Sequence, residues 1–480
     1  MLLQDLLKRV DPIAVQGAAD RHVTGVSQDS RDLTPDGVFV AVPGLRVDGH
    51  DYVARVPQAA VAVVERAVPT PPGVTRVLVA DSRLALAQLS AAWQGDPSRE
   101  TFLLGITGTN GKTTTTWVAE AIARAAGWSV GVIGTTGHRV DGRELATGFT
   151  TPEAPAWQAL LRRLVDAGAQ LVAAEVSSIA LAARRVDETR FSAAAFTSLG
   201  RDHLDYHGDM VRYIAAKARL FSELLAPGGT AVLASDDPAV PGAVAVRHDV
   251  TTWTCGLQGG DLRLEQPRFT AAETRGRLVT PHGSAQVVLP LPGRHNASNA
   301  LVAVGGCLAA GLALDDVVAG LAAVPVVPGR LEPVPSPGGP AVLVDYAHTP
   351  DALQAVLQGL RELTPGRLAV VFGCGGDRDA GKRPLMGRVA TRLADRVYVT
   401  SDNPRSEDPQ AIVDDIRAGL TGDAIVELDR RLAIERALAD AGPDDVVLIA
   451  GKGHETSQEI DGTRLPFDDR QVARAWLEAR

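Results

Sequence analysis

The sequence has little lysine. Of its 48 basic side chains, five are lysines (Lys8, Lys112, Lys217, Lys382 and Lys452) and the remaining 43 are arginines. A codon-level preference for arginine accounts for such a bias. It also makes each retained lysine worth following, because a compact ammonium and a planar guanidinium do different chemistry. Cysteine is scarcer still. Cys255, Cys307 and Cys374 lie far apart and form no CxxC pair; this excludes a disulfide framework and fits a reducing compartment. No long basic run offsets the net charge of −9. That argues against nucleic acid or an anionic membrane as a partner, though not against a phosphate held in a local cradle. The longest apolar run, Leu301 to Leu314, stops at Asp315-Asp316 and is too short to span a bilayer. The opening Met1-Leu2-Leu3-Gln4-Asp5 is broken by an acid and has no basic n-region, so no signal peptide is expected. These absences lead to the expectation of a soluble, cytoplasmic protein without membrane insertion.

What remains is ordinary globular material: 480 residues, 45% apolar and 22% charged, enough for about three domains. Two breaks divide it. Gly95-Asp96-Pro97-Ser98 is a turn cluster after the helical stretch Arg83 to Trp93, and residues 325–340 hold six prolines and read as a linker or domain edge. The resulting segments are 1–98, 99–328 and 329–480. Short apolar runs alternate with helical patterns: Phe102–Ile106, Leu171–Ala174, Ala193–Phe196, Val342–Val344, Leu368–Phe372, Val397–Val399 and Val446–Ala450. This alternation predicts α/β units with mostly parallel sheets, whose ligands bind beyond the carboxyl ends of strands.

Polar motifs stand at those ends. Gly108-Thr109-Asn110-Gly111-Lys112-Thr113-Thr114 follows a strand and opens a helix whose apolar face includes Val118, Ala121, Ile122 and Ala125. Glycines admit backbone N–H groups to phosphate oxygens, and the helix N-terminus adds a positive dipole. Lys112 would reach the β/γ-phosphates and the Thr113 hydroxyl would bind Mg²⁺. The full P-loop spacing is not met, since Ile106 stands where the first glycine belongs and Gly105 is one residue early. Glu175 ends another strand and could supply a carboxylate to Mg²⁺. Asp202-His203-Leu204-Asp205-Tyr206-His207 places two His and two Asp within six residues. Lys217, on an amphipathic helix, would pass for a surface lysine in a chain less sparing of that residue.

Together these motifs resemble the Mur ligase family, ATP-dependent amide-forming enzymes of peptidoglycan synthesis. The likeness covers the whole chain: GTNGKTT at 108–114, EVSS at 175–178, DHLDYHG at 202–208, YxxAK ending at Lys217, GRHNASN at 293–299, PGRLE at 328–332, DYAHTP at 345–350, FGCGGDRDAGKRP at 372–384, DNPR at 402–405 and GKGHE at 451–455. Within the family the pattern is most similar to the enzymes that join a diamino acid to the D-Glu of UDP-N-acetylmuramoyl-L-alanyl-D-glutamate. DNPR points to meso-2,6-diaminopimelate rather than lysine or ornithine. A different class, an ATP-binding regulatory protein without catalysis, is disfavoured because Lys112, Glu175, His203 and Lys217 are all retained.

The resemblance implies three domains: a UDP-binding α/β domain, a central P-loop-type ATPase domain with a mostly parallel sheet, and a C-terminal Rossmann-like α/β domain. It implies that Lys112 and the loop from Gly108 to Thr114 hold the phosphates of ATP, and that Asn296, Arg330, Asp345 and His348 also contact the nucleotide, with Arg330 on the terminal phosphate. Two Mg²⁺ ions are implied, with Thr113, Glu175, His203 and the carbamate of Lys217 as ligands. Lys217 matches the lysine carbamylated by CO₂, so that an ammonium becomes a carboxylate-like acceptor. Ser30 (in Asp29-Ser30-Arg31) and Leu45-Arg46-Val47 match the segments that hold UDP. Thr150, Thr151, Ser177 and Arg185 match contacts to the sugar–peptide part. Arg378, Asp402, Asn403, Pro404, Arg405, Gly451 and Glu455 match the diamino-acid site, where a guanidinium suits a free carboxylate and the acids suit an ammonium. Two departures fall among the substrate contacts: Ile179 stands where the family often has His, and Ala183 where a Gln is expected. A monomer is expected.

Overall fold

The computed structural model describes residues 1–44, 47–146, 148–245 and 247–479. It contains three large sheets, each made from one stretch of the chain. The first has the spatial order Ala14–Gln16, Thr75–Leu78, Val61–Val64, Val38–Val40, Val26–Ser27. All its pairs are parallel except that between Ala14–Gln16 and Thr75–Leu78. The helix Ser82–Trp93 starts at Asp81, whose carboxylate accepts from Leu84 N–H and so satisfies one of the helix's orphan donors. Its Ala85, Leu86 and Leu89 join Val38, Val61, Val63 and Val77 in one core.

The central sheet carries seven consecutive parallel strands in the order Leu262–Phe269, Thr251–Gly256, Leu225–Ala234, Phe191–Phe196, Phe102–Thr107, Leu171–Glu175, Val130–Ile133. Antiparallel strands extend it at both ends. Side chains alternate between its faces. Leu104, Ile106 and Ala173 pack with Val118 and Ile122 of the helix Lys112–Ala125 and with Val302 and Leu308 of Arg294–Ala309. Leu103, Val172 and Ala194 pack on the other side with Trp157, Leu161 and Leu164 of Ala154–Asp166. Helices on both faces explain why these strands read as unbroken apolar runs. Each fully buried Leu or Val contributes about 1.5–3 kcal/mol relative to exposure.

The third sheet runs Glu332–Val334, Ala341–Asp345, Val446–Ala450, Leu368–Phe372, Arg396–Val399, Ile425–Val426. Only its first strand is antiparallel to its neighbour. Part of the proline-rich segment is therefore structured, since Pro333 sits in an edge strand, where a missing N–H is tolerated. Two other expectations shift in detail. On the helix Lys112–Ala125 the buried stripe is Val118, Ala119, Ile122 and Ala123, whereas Ala121 is half-buried and Ala125 exposed. The run Leu301 to Leu314 spans the end of one helix and the start of another, Leu314–Ala322, broken at Gly311 with φ +89°. Among the described residues no helix is long and apolar enough to cross a membrane.

Candidate active site

The strand Phe102–Thr107 delivers the chain into the glycine-rich loop, and Lys112 begins the helix that follows. Gly108 and Gly111 have φ of +149° and +89°, and a Cβ on them would stand 2.0 Å from Thr197 Oγ1 and 2.1 Å from Asn299 Oδ1. The loop is thus held against two neighbouring elements in a shape that only glycine adopts without strain. Lys112 Nζ donates to the carbonyls of Gly108 and Thr109 at 2.8 and 3.0 Å. Arg330 reaches across from the C-terminal segment and donates from Nη2 to Thr113 Oγ1 at 3.1 Å.

This loop walls a cavity of about 580 Å³. Of the residues singled out in the sequence, Thr109, Asn110, Gly111, Lys112, Thr113, Thr114, Thr150, Glu175, Ser177, His203, Asn296, Arg330, Asp345 and His348 all line it. Glu175, at the end of its strand, accepts from Thr135 N–H at 2.9 Å on Oε1 and from the Thr135 hydroxyl at 3.0 Å on Oε2. A carboxylate has about four lone-pair directions, so both oxygens retain capacity. Thr151 and Arg185 brace this wall from behind: Thr151 Oγ1 donates to Glu175 O at 2.8 Å, and Arg185 Nη1 donates to Thr151 O at 3.1 Å. Arg185 also pairs with Glu153 at 2.6 Å. Asp345 accepts from the backbone N–H groups of Leu331 and Ala347 at 2.7 and 2.8 Å; burial nevertheless raises its pKa.

Lys217 is fully buried, and its Nζ donates to Gly108 O at 2.8 Å. That carbonyl is also an acceptor of Lys112, so two amines converge on one oxygen. Burial pushes the Lys217 ammonium well below its usual range, and the Lys112 charge pushes it in the same direction. The neutral amine, which is the form able to react with CO₂, is thereby favoured. Lys217 is not one of the residues lining the cavity. His203 is held at about 4, mainly by burial, with Asp202 opposing and the Lys112 charge adding to the shift. Its imidazole is neutral near pH 7, with a lone pair available to a cation.

Among the described residues no three His, Cys, Asp or Glu form a ready-made metal cluster. Mg²⁺ needs none, since it is commonly held by one or two carboxylates, substrate phosphates and water. Glu175 and Thr113 provide oxygen donors on the same cavity as Lys112, so the donor set fits such an ion.

A second cavity, of about 560 Å³, lies on the N-terminal segment and is lined by Ser30, Arg31, Val47, Tyr52 and Arg83 together with Glu153 of the central segment. Leu45 and Arg46 lie outside the described residues. The C-terminal residues form a third group beyond the ends of three parallel strands. Asp402 and Asn403 are buried, and Asn403 Nδ2 donates to Glu455 Oε2 at 2.8 Å. Arg405 has φ +54°, and its Nη1 donates to Gly376 O at 2.7 Å. Gly451 lies against Asp402, where a Cβ would stand 2.5 Å from Oδ2. Arg378 donates to Asp377 O at 2.9 Å, and Pro404 follows Asn403 in the turn.

Three domain models match in sequence: the Mur ligase family catalytic domain over residues 22–94, the Mur ligase middle domain over 106–307 and the Mur ligase glutamate ligase domain over 329–453. A UDP-N-acetylmuramoyl-L-alanyl-D-glutamate–2,6-diaminopimelate ligase of Geobacter sulfurreducens is 44% identical, covering 99% of this chain and 98% of its own. The chain belongs to the Mur ligase family. A ligase of the same name from Gloeobacter violaceus is also 44% identical to this Mur ligase, covering 100% and 99% of the two chains. A solved structure bearing that name superimposes with a TM-score of 0.70 at 31% identity, covering 100% of this chain and 99% of that one.

The structure adds residues to this Mur ligase's site that the motifs did not single out. Thr135, just beyond the strand Val130–Ile133, holds both oxygens of Glu175. Asn299 lies against the loop glycine Gly111 and belongs to GRHNASN, in which the resemblance assigns a role to Asn296 alone. Tyr346 lines the cavity, and the Arg330 guanidinium sits 4.6 Å from its ring centroid. Asp202, already conspicuous in its motif, lies 3.5 Å from His203 Nε2 and 3.7 Å from His348 Nε2.

Proposed function

We propose that this Mur ligase joins 2,6-diaminopimelate to the D-Glu γ-carboxylate of UDP-N-acetylmuramoyl-L-alanyl-D-glutamate, driven by ATP, in the cytoplasmic synthesis of peptidoglycan precursors. The observation that carries this reading is identity of 44% over nearly the whole of both chains to a ligase of that name. Each segment has one task. Residues 1–98 take the UDP moiety through Ser30 and Val47, 99–328 take ATP, and 329–480 take the diamino acid. The protein acts as a monomer.

Lys112 and the N–H groups of the loop hold the β- and γ-phosphates, and Arg330, already against Thr113, neutralises charge on the terminal phosphate. Thr113, Glu175 and His203 would hold Mg²⁺, which would supply charge neutralisation at the phosphate oxygens. Lys217, whose ammonium form burial disfavours, would add CO₂ through its amine with loss of a proton and so carry an anionic oxygen pair beside the phosphate loop, where its Nζ meets Gly108 O. Thr150, Thr151, Ser177 and Arg185 direct the peptide end of the acceptor into the cavity. One oxygen of the γ-carboxylate attacks the γ-phosphorus, ADP leaves, and an acyl phosphate remains. Arg405 and Arg378 receive the far carboxylate of the diamino acid, while Asp402 and Glu455 receive its ammonium. The free amine attacks the acyl carbon, forming the amide, and phosphate leaves with the oxygen that came from the substrate. Positioning of the three reactants supplies much of the rate, and a closed cavity protects the acyl phosphate from water.

An isotope-transfer experiment tests this sequence. With ¹⁸O in the γ-carboxylate, one label per turnover is expected in the released phosphate, and the organic product gains the mass of diaminopimelate less water. Phosphate without label, or ADP formation without amide, contradicts it.

A further inference from the structure

Lys452 has no exposed surface, and its ammonium faces three acceptors: Asn403 Oδ1 at 2.9 Å, Glu455 Oε2 at 3.0 Å and Ser457 O at 2.7 Å. An ammonium has three protons, and all three are used. Glu455 Oε2 also accepts from Asn403 Nδ2 at 2.8 Å, and Asn403 Oδ1 also accepts from Glu459 N–H at 3.0 Å. Lysine, asparagine and glutamate therefore close a hydrogen-bonded ring.

Two consequences follow from counting donors and acceptors. The Asn403 oxygen is doubly engaged and one of its two amide protons is committed, so this side chain mainly serves as framework. In Glu455, Oε2 receives two donors, while Oε1 receives none from the described residues; the side chain is 30% exposed. One carboxylate oxygen is fixed and the other is left for a ligand.

We propose that Lys452 is a positioning residue for the amine substrate. It locks Glu455 so that Oε1 faces the incoming ammonium, and it fixes Asn403 and with it the turn that carries Arg405. This rests on the reading of Glu455 as part of the diamino-acid site. Arginine could not take the place, because three acceptors converge on one point, whereas a guanidinium spreads its donors over a planar fork. That accounts for a lysine here in a chain that otherwise uses arginine.

Steady-state kinetics of Lys452→Met, Lys452→Arg, Glu455→Gln and the Lys452→Met/Glu455→Gln double variant test the proposal, with ADP binding by calorimetry as the check on folding. In Lys452→Met the KM for 2,6-diaminopimelate is expected to rise about tenfold or more, with KM for ATP and for the UDP-dipeptide within about twofold. Lys452→Arg does not restore it. The double variant is no worse than the more damaged single variant, because both act through one carboxylate. An unchanged KM for the amine in a folded Lys452→Met overturns the proposal, as does a full additive loss in the double variant. If Lys452→Met loses ADP binding, Asn403→Ser interrogates the same ring from its other side; an unchanged amine KM there overturns the proposal equally. Wild-type enzyme is assayed first with several diamino acids. Failure to use diaminopimelate counts against the functional reading, and the same KM comparison is then made with whichever amine is used.

Discussion

Gly111→Ala asks whether the phosphate loop works through its backbone shape. The residue has φ +89°, and an added Cβ would stand 2.1 Å from Oδ1 of the buried Asn299. The left-handed backbone costs an L-residue roughly 1–2 kcal/mol. Overpacking against Asn299 costs roughly 1–3 kcal/mol more. A loop that keeps its shape therefore gives up about 2–5 kcal/mol of stability. A loop that yields instead moves its N–H groups away from the phosphates and loses nucleotide affinity. Gly127→Ala is the control, since it has φ +77° with nothing within 4 Å of the added carbon and should show the backbone term alone. Denaturant unfolding and calorimetric titration with ADP read the two effects. Gly111→Ala is expected to lose at least about 2 kcal/mol or to bind ADP about tenfold more weakly. Stability within about 0.5 kcal/mol of wild type together with unchanged ADP affinity would show that the loop does not depend on a glycine here.

Three further outcomes are expected. Lys217→Ala should lose most activity and regain part of it when a short carboxylic acid is added to the assay; full activity without the acid removes Lys217 from the mechanism. Arg430 and Asp469 form a pair with both side chains fully buried and a closest approach of 2.7 Å, so Asp469→Asn, which leaves the guanidinium unpaired, should cost about 3–5 kcal/mol in denaturant unfolding. A loss below about 1 kcal/mol would show that the pair is solvated. His454 is held at about 4, by burial first and then by the charges of Arg330 and Arg470. Because its folded pKa lies below the usual 6.5, the unfolded chain takes up the proton first, and stability present above pH 6.5 is lost as the pH falls toward 4. His454→Gln should flatten the melting temperature between pH 5 and 7; an identical slope in the variant contradicts this.

The parts of the site carried by short runs of sequence were legible in advance. The loop Gly108 to Thr114, Glu175 at a strand end and the Asp402–Arg405 turn all stand where apolar strands stop. Fourteen of the residues singled out in the sequence line one cavity, brought together from the ends of central-sheet strands, the helix Arg294–Ala309 and the segment around the strand Ala341–Asp345 of the third sheet. Support contacts were not legible. Thr135 grips Glu175 from 40 residues away, and Asn299 meets Gly111 from a separate helix; neither contact leaves a local pattern. The scarcity of lysine drew attention to Lys217 and Lys452 but could not say what each touches. Helix faces were legible only to within a residue or two, because neighbouring helices as well as the sheet decide which side of Lys112–Ala125 is covered.

An amine panel decides which diamino acid this Mur ligase joins. The purified protein, the UDP-dipeptide and ATP are combined with 2,6-diaminopimelate, L-lysine or L-ornithine, and kcat/KM is measured from phosphate release with the product mass checked. Amide formation with diaminopimelate is expected at a kcat/KM at least about a hundredfold above the other two, since each of them lacks the second carboxylate for Arg405. Equal or better turnover with lysine or ornithine, or no amide with any of the three, would contradict it.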